Sequence, residues 1–200
     1  MRGTPGSRHD EKAPAARRDA PVRAVFLVGF MGAGKTSVGR ALSRYLGWRF
    51  EDLDDRIQAR EGRTVPEIFQ RSGESGFRKA ELAALRELLE HIGDGQPLIA
   101  ALGGGAFAQE EVVALLAGSG GVTLFLDAPP DELWRRCGSD VTDRPLRREE
   151  SEFRRLYEMR RPKYLQASVK IETGGQAIEQ IVCEIASRLN LNHRASGEEK

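Results

Sequence analysis

Gly29-Phe30-Met31-Gly32-Ala33-Gly34-Lys35-Thr36 has the spacing Gly-x-x-x-x-Gly-Lys-Thr, and these residue types suit one task, holding nucleotide phosphates. Glycines let successive backbone N–H groups turn inward around phosphate oxygens, and a helix starting at the end of the loop adds its positive dipole end. Gly32, Ala33, Gly34, Lys35, Thr36 and Ser37 are therefore candidate ATP-binding residues. Lys35 would reach the β- and γ-phosphates, and the Thr36 hydroxyl would ligate Mg²⁺. A glycine-rich turn could match by chance, but this motif sits between an apolar run and a helical one, as the chemistry requires. Guanine-reading switches use an Asn-Lys-x-Asp loop, and the asparagines here are confined to Asn190 and Asn192, so a GTPase is not expected.

Further along lie residues suited to holding an acceptor. Asp52 and Asp54 are two apart and share a face if the chain is still extended there. Either could instead cap a following helix. Gly103-Gly104-Gly105 lets backbone approach a ligand closely. Phe77-Arg78-x-x-Glu81 opens a long helical stretch, and Arg144-Pro145-Leu146 lies in an arginine-rich segment. Asp127 ends the run Val122 to Leu126, a hydrophobic strand followed by Asp, which makes it a second candidate metal partner.

The elements that must position these groups are legible as patterns. Ala24 to Val28, Leu98 to Leu102 and Val122 to Leu126 are continuous apolar runs, the mark of strands covered on both faces. Trp48 to Leu53 and Val169 to Ile171 are weaker strand candidates. Helical spacing recurs in Thr36 to Leu46, in Leu82, Leu85, Leu89 and Ile92, and in Ile178, Ile181, Val182, Ile185 and Leu189. Thr64-Val65-Pro66-Glu67 reads as a helix start with Thr64 as N-cap. Strands alternating with helices imply an α/β fold. The expected form is a P-loop NTPase-type three-layer sandwich, with a central five-stranded parallel sheet flanked by helices and a mobile lid. Ligands in such sheets sit beyond the carboxyl ends of the strands.

With 200 residues, 40% apolar and 30% charged, the chain suits one soluble domain. A net charge of +1 gives no pull towards nucleic acid or membrane. Two cysteines, far apart, fit neither a disulfide framework nor a zinc site and point to a reducing compartment. No apolar stretch is long enough to span a bilayer. Residues 1–21 and 192–200 read as disordered tails around a domain at 22–191, with a lid at about 138–150. The arginines from Arg135 to Arg161 are interspersed with Glu149, Glu150, Glu152 and Glu158, which favours a lid over ATP against a nucleic-acid patch.

In order, the P-loop, Asp52-x-Asp54, Glu67-Ile68-Phe69, Gly73-Glu74, Phe77-Arg78-x-x-Glu81, Gly103 to Gly105, Arg144-Pro145-Leu146 and Arg160-x-Pro162-x-Tyr164 together resemble shikimate kinases, across about Val22 to Leu191. The resemblance implies transfer of the ATP γ-phosphoryl group to the 3-hydroxyl of shikimate, in the route to aromatic amino acids. It implies Lys35, Asp54 and Arg144 as catalytic residues. Asp54 would orient the attacking hydroxyl, and Arg144 would close over the phosphates from the lid. Asp54, Arg78, Gly103, Gly104, Gly105 and Arg160 would hold the acceptor, with the two arginines on its carboxylate, where a planar guanidinium forms paired bonds. Mg²⁺ would be held by Thr36 and, through water, by Asp52. Arg136 would stack on adenine. Phe69 and Phe77 are either core residues or walls of the acceptor pocket, with the wall favoured. A cytoplasmic monomer is expected, with no nucleic-acid or membrane partner.

Three departures from the pattern stand out. The segment between Arg136 and Arg144 is slightly long; Leu102 replaces a small or hydroxylated residue at the expected pocket rim; and Arg147-Arg148 follows Pro145-Leu146. The rivals are a gluconate or nucleoside-monophosphate kinase, which would share the P-loop and lid, and a non-catalytic nucleotide-binding regulator.

Overall fold

A computed structural model describes residues 22–90, 92, 96–139 and 149–191. Five strands, β1 (Ala24–Val28), β2 (Arg49–Asp52), β3 (Leu98–Ala101), β4 (Val122–Asp127) and β5 (Val169–Glu172), form one parallel sheet in the order β2-β3-β1-β4-β5. The three central strands are those with continuous apolar runs, and nearly all their residues are buried. The edge strands are only partly buried, so their sequences carried the weaker signal.

The helices are α1 (Lys35–Leu46), α2 (Leu53–Glu61), α3 (Val65–Glu90), α4 (Glu110–Gly118), α5 (Pro130–Ser139), α6 (Glu150–Tyr164) and α7 (Ile178–Arg188). They flank the sheet as expected, α1 packing on α7, α2 on α3 and α5 on α6. The Thr64 cap forms: Glu67 Oε2 accepts from the Thr64 N–H at 2.8 Å, and the Glu67 N–H reaches Thr64 Oγ1 at 3.4 Å. α3 is broken at Gly73 (φ 64°, ψ −174°), so Phe77, Arg78 and Glu81 belong to its second segment.

Leu102 does not alter a pocket rim. It is buried, and its N–H extends the sheet by donating to Leu27 O at 3.0 Å. Phe77 is likewise core, stacked at 4.6 Å on half-buried Phe69. Its burial follows from the helical face it shares with Ala80, Ala84 and Leu85. Among the described residues, no helix is long and apolar enough to cross a membrane.

Candidate active site

The phosphate loop connects β1 to α1. Gly34 takes a left-handed conformation (φ 83°) at the N-cap of α1, with Lys35 and Thr36 opening the helix and Ser37 exposed in its first turn. Lys35 Nζ donates to Gly29 O and Phe30 O, each at 3.0 Å. Gly32 (φ 79°) lies so close to α5 that a Cβ there would meet Leu133 O at 2.6 Å and Cys137 Sγ at 2.9 Å. Ala33 is buried beneath the loop. Cys137, with no expected role, thus packs against the phosphate loop.

Asp52 uses both of its carboxylate oxygens. Its Oδ2 accepts from the Thr36 hydroxyl at 2.7 Å, and its Oδ1 caps α2 by accepting the Asp54 N–H at 3.1 Å. Capping ends β2 at Asp52, so Asp54 lies in the first helical turn and the two carboxylates do not share a strand face. Asp127, the rival metal partner, is engaged elsewhere. Its side chain is 4% exposed, with Oδ2 accepting from Arg161 Nη2 at 2.7 Å and Oδ1 from the Tyr157 hydroxyl at 3.1 Å. The Thr36–Asp52 pair therefore fits a hard cation that keeps most of its ligands as water and phosphate oxygen. Among the described residues, no three His, Cys, Asp or Glu side chains are grouped to hold a metal.

The glycine triplet after β3 is where the residues expected to hold an acceptor meet. A Cβ on Gly103 would lie 2.8 Å from Glu81 Oε1 and 2.9 Å from Asp54 Oδ1. One on Gly105 would collide with the Arg78 guanidinium. Gly104 O accepts from Arg160 Nη1 at 3.4 Å and from the Tyr164 hydroxyl. Groups from α2, α3 and α6 thus converge on one loop, each held at backbone distance because no side chain intervenes.

Arg78 is not a solvated surface arginine. Its side chain is 18% exposed, and it donates to Glu81 Oε2 at 2.7 Å and to Glu74 Oε1 at 3.3 Å. Burial pushes the fully enclosed Glu81 carboxyl above its ordinary range, while the Arg78 guanidinium and Gln109, whose amide donates at 2.7 Å, pull against that. Among the described residues, Glu81 Oε1 has no hydrogen-bond partner. Burial also holds the Tyr164 hydroxyl protonated, its pKa pushed up to about 12, with Arg160 and Arg78 opposing.

Arg136 lies on α5, its guanidinium donating to Glu132 and, at 3.1 Å, to Thr173 O in the turn after β5. Arg144 and most of the expected lid lie outside the described residues. Sequence reasoning did not single out Gln109, Glu132, Tyr157 or Arg161. The available signal was the helical spacing of Tyr157, Arg161 and Tyr164; for Gln109 there was none.

A parallel 2-3-1-4-5 sheet, a phosphate loop at the carboxyl end of β1 and charged side chains clustered around the Gly103–Gly105 loop define the class of P-loop small-molecule kinases. The family model for shikimate kinase matches residues 31–190, and the chain belongs to the shikimate kinase family. It is 37% identical to the shikimate kinase of Persephonella marina over 84% of this chain and 99% of that protein. Identity to the Thermus thermophilus shikimate kinase is 38% over 91% of this chain and 99% of the relative. Among solved structures, Acinetobacter baumannii shikimate kinase in complex with shikimate matches with a TM-score of 0.77 and 35% identity, covering 84% of this chain and 93% of the other. A Sinorhizobium meliloti gluconokinase matches at 19% identity and a TM-score of 0.57, which is likeness of fold alone.

Proposed function

We propose that this chain transfers the γ-phosphoryl group of ATP to the 3-hydroxyl of shikimate, giving shikimate 3-phosphate on the route to aromatic amino acids. The observation that carries the reading is the convergence of Arg78 and Arg160, from separate helices, on the Gly103–Gly105 loop with Asp54 beside it. Two guanidiniums at one loop suit a carboxylate, and a carboxylate beside that loop suits a hydroxyl donor. Shikimate carries both groups.

In this reading the loop from Gly32 to Ser37 holds the phosphates, and Lys35 turns its amine from the loop carbonyls to their oxygens. Thr36 and, through water, Asp52 would hold Mg²⁺, which would supply positive charge against the phosphates. Arg78 and Arg160 fix the acceptor carboxylate. Gly103 to Gly105 contact the ring, and Asp54 orients the attacking 3-hydroxyl and accepts its proton or a hydrogen bond from it. Arg144 closes over the transferring group, and Arg136 lies against adenine. The enzyme works as a cytoplasmic monomer.

A coupled assay across shikimate, gluconate and nucleoside monophosphates tests the assignment. Turnover with shikimate is expected. Rapid turnover with gluconate or a nucleotide and none with shikimate would overturn it, and ATP binding without turnover of any acceptor would favour the regulator.

A further inference from the structure

One face of α6 makes two sets of contacts, and the reading above uses one of them. Tyr157, Arg160, Arg161 and Tyr164 fall at i, i+3, i+4 and i+7, within a stripe roughly 100° wide. Arg160 and Tyr164 bond the Gly104 carbonyl at the acceptor pocket. Tyr157 and Arg161 instead grip Asp127 at the end of β4. Arg161 Nη2 donates to Oδ2 at 2.7 Å, the Tyr157 hydroxyl donates to Oδ1 at 3.1 Å, and Arg161 Nε closes the ring by donating to that hydroxyl at 3.0 Å. Lys170 Nζ from β5 stands 3.7 Å from Oδ2.

Asp127 is a fixed point. It is buried, and its strand is paired with β1 on one side and β5 on the other. Its backbone carbonyl accepts twice from Thr173, at 2.6 Å and 3.1 Å. A buried carboxylate in a sheet end is costly unless both oxygens are satisfied, and α6 supplies both partners. The same segment touches the phosphate loop, with the Phe30 ring edge-on to Phe153 at 4.9 Å and to Tyr157 at 5.5 Å.

We propose that the Asp127–Arg161–Tyr157 cluster is a positioning device that fixes the rotation and height of α6, and so holds Arg160 at the acceptor carboxylate; Arg161 is a positioning residue for acceptor binding. This rests on the reading of Arg160 as an acceptor ligand. Adjacent helical residues move as one rigid body, so loosening Arg161 displaces Arg160, and displacements near 1 Å are enough to weaken binding and turnover. Because the bonds run to β4 and not to the Gly103–Gly105 loop, Arg161 acts through Arg160 and touches neither substrate.

The test is steady-state kinetics on the full chain, varying acceptor and ATP separately, for Arg161→Gln, Arg161→Lys and Tyr157→Phe, each alone and on an Arg160→Ala background. Arg161→Gln is expected to raise the shikimate KM roughly 3- to 10-fold, no more than loss of Arg160 itself, with the ATP KM within about two-fold of the parent. Arg161→Lys recovers part of the loss, and Tyr157→Phe, which removes one hydroxyl, gives a smaller rise. None adds a further rise on the Arg160→Ala background. An unchanged shikimate KM with only a lowered melting temperature overturns the proposal, as does an equal rise with Arg160 absent. If Arg161→Gln fails to fold, the same comparisons on Tyr157→Phe decide. Parent turnover with another acceptor in place of shikimate would sink the functional reading, and the same KM comparison on that acceptor would still decide the positioning role.

Discussion

The Thr36 hydroxyl and the Asp52 carboxylate meet at 2.7 Å, joining the first turn of α1 to the end of β2. The bond brings together a phosphate-loop side chain and an acidic side chain 16 residues apart, the two groups proposed above to hold the cation. Asp52→Asn keeps a good helix cap, since Asn ranks with Asp at that position, so the fold should survive. We expect it to raise the Mg²⁺ concentration needed for half-maximal turnover, while Asp127→Asn does not. The reverse pattern, in a titration of activity against Mg²⁺, would move the metal partner to Asp127.

Lys35→Met should lower kcat by about 10²- to 10³-fold, the cost of removing one preorganised donor from developing charge. Circular dichroism should match the parent. Full activity in this variant would remove Lys35 from catalysis.

Arg78 holds a fully buried partner, so Arg78→Ala would strand the Glu81 charge at a cost of about 3–5 kcal/mol and confuse binding with stability. Arg78→Lys keeps the charge but loses the paired geometry. It and Arg160→Ala should each raise the shikimate KM by about ten-fold, from a loss near 1.4 kcal/mol in acceptor binding. An unchanged acceptor KM in either variant contradicts the carboxylate clamp.

Gly103→Ala would set a methyl group against Glu81 Oε1 and Asp54 Oδ1, and Gly105→Ala would set one against the Arg78 guanidinium. Both should impair shikimate binding and leave ATP binding intact. Calorimetry with each ligand separates the two, and equal weakening of ATP would show that the loop serves the whole fold.

Tyr164 links stability to alkaline pH. Its folded-state pKa is raised from 10 to about 12 by burial. Below pH 10 both states keep the proton and its contribution is complete. Between about pH 10 and 12 the unfolded chain ionises while the folded one does not, so stability falls as pH rises, by on the order of 3 kcal/mol in total. Urea unfolding of Tyr164→Phe across that range should show a shallower decline than the parent. Parallel curves would mean Tyr164 ionises normally.

The features read correctly from the sequence are those whose causes lie within a few residues. The phosphate loop follows from its glycines and the helix start after it, the Thr64–Glu67 cap from two side chains three apart, and β1, β3 and β4 from apolar runs. The resemblance added Asp54, Arg78, Gly103 to Gly105 and Arg160 as one group, and the structure brings them together around a single loop. Spacing failed at Asp52 and Asp54, where a cap turned an expected strand face into a helical turn. At Leu102 and Phe77 the structure chose the core over the pocket rim or wall, since both side chains pack inward.

By itself the sequence determined the sheet class, the nucleotide loop and the family. Tertiary structure decided which partners the side chains take: Asp52 with Thr36, Asp127 with Arg161, Glu81 with Gln109, and Arg160 with the Gly104 carbonyl. These pairs are separated by 16, 34, 28 and 56 residues. No local period encodes such distances. They are set by the order in which strands join the sheet and by how helices pack across it, which is how Asp127 at the end of β4 comes to hold Arg161 and Tyr157 of α6.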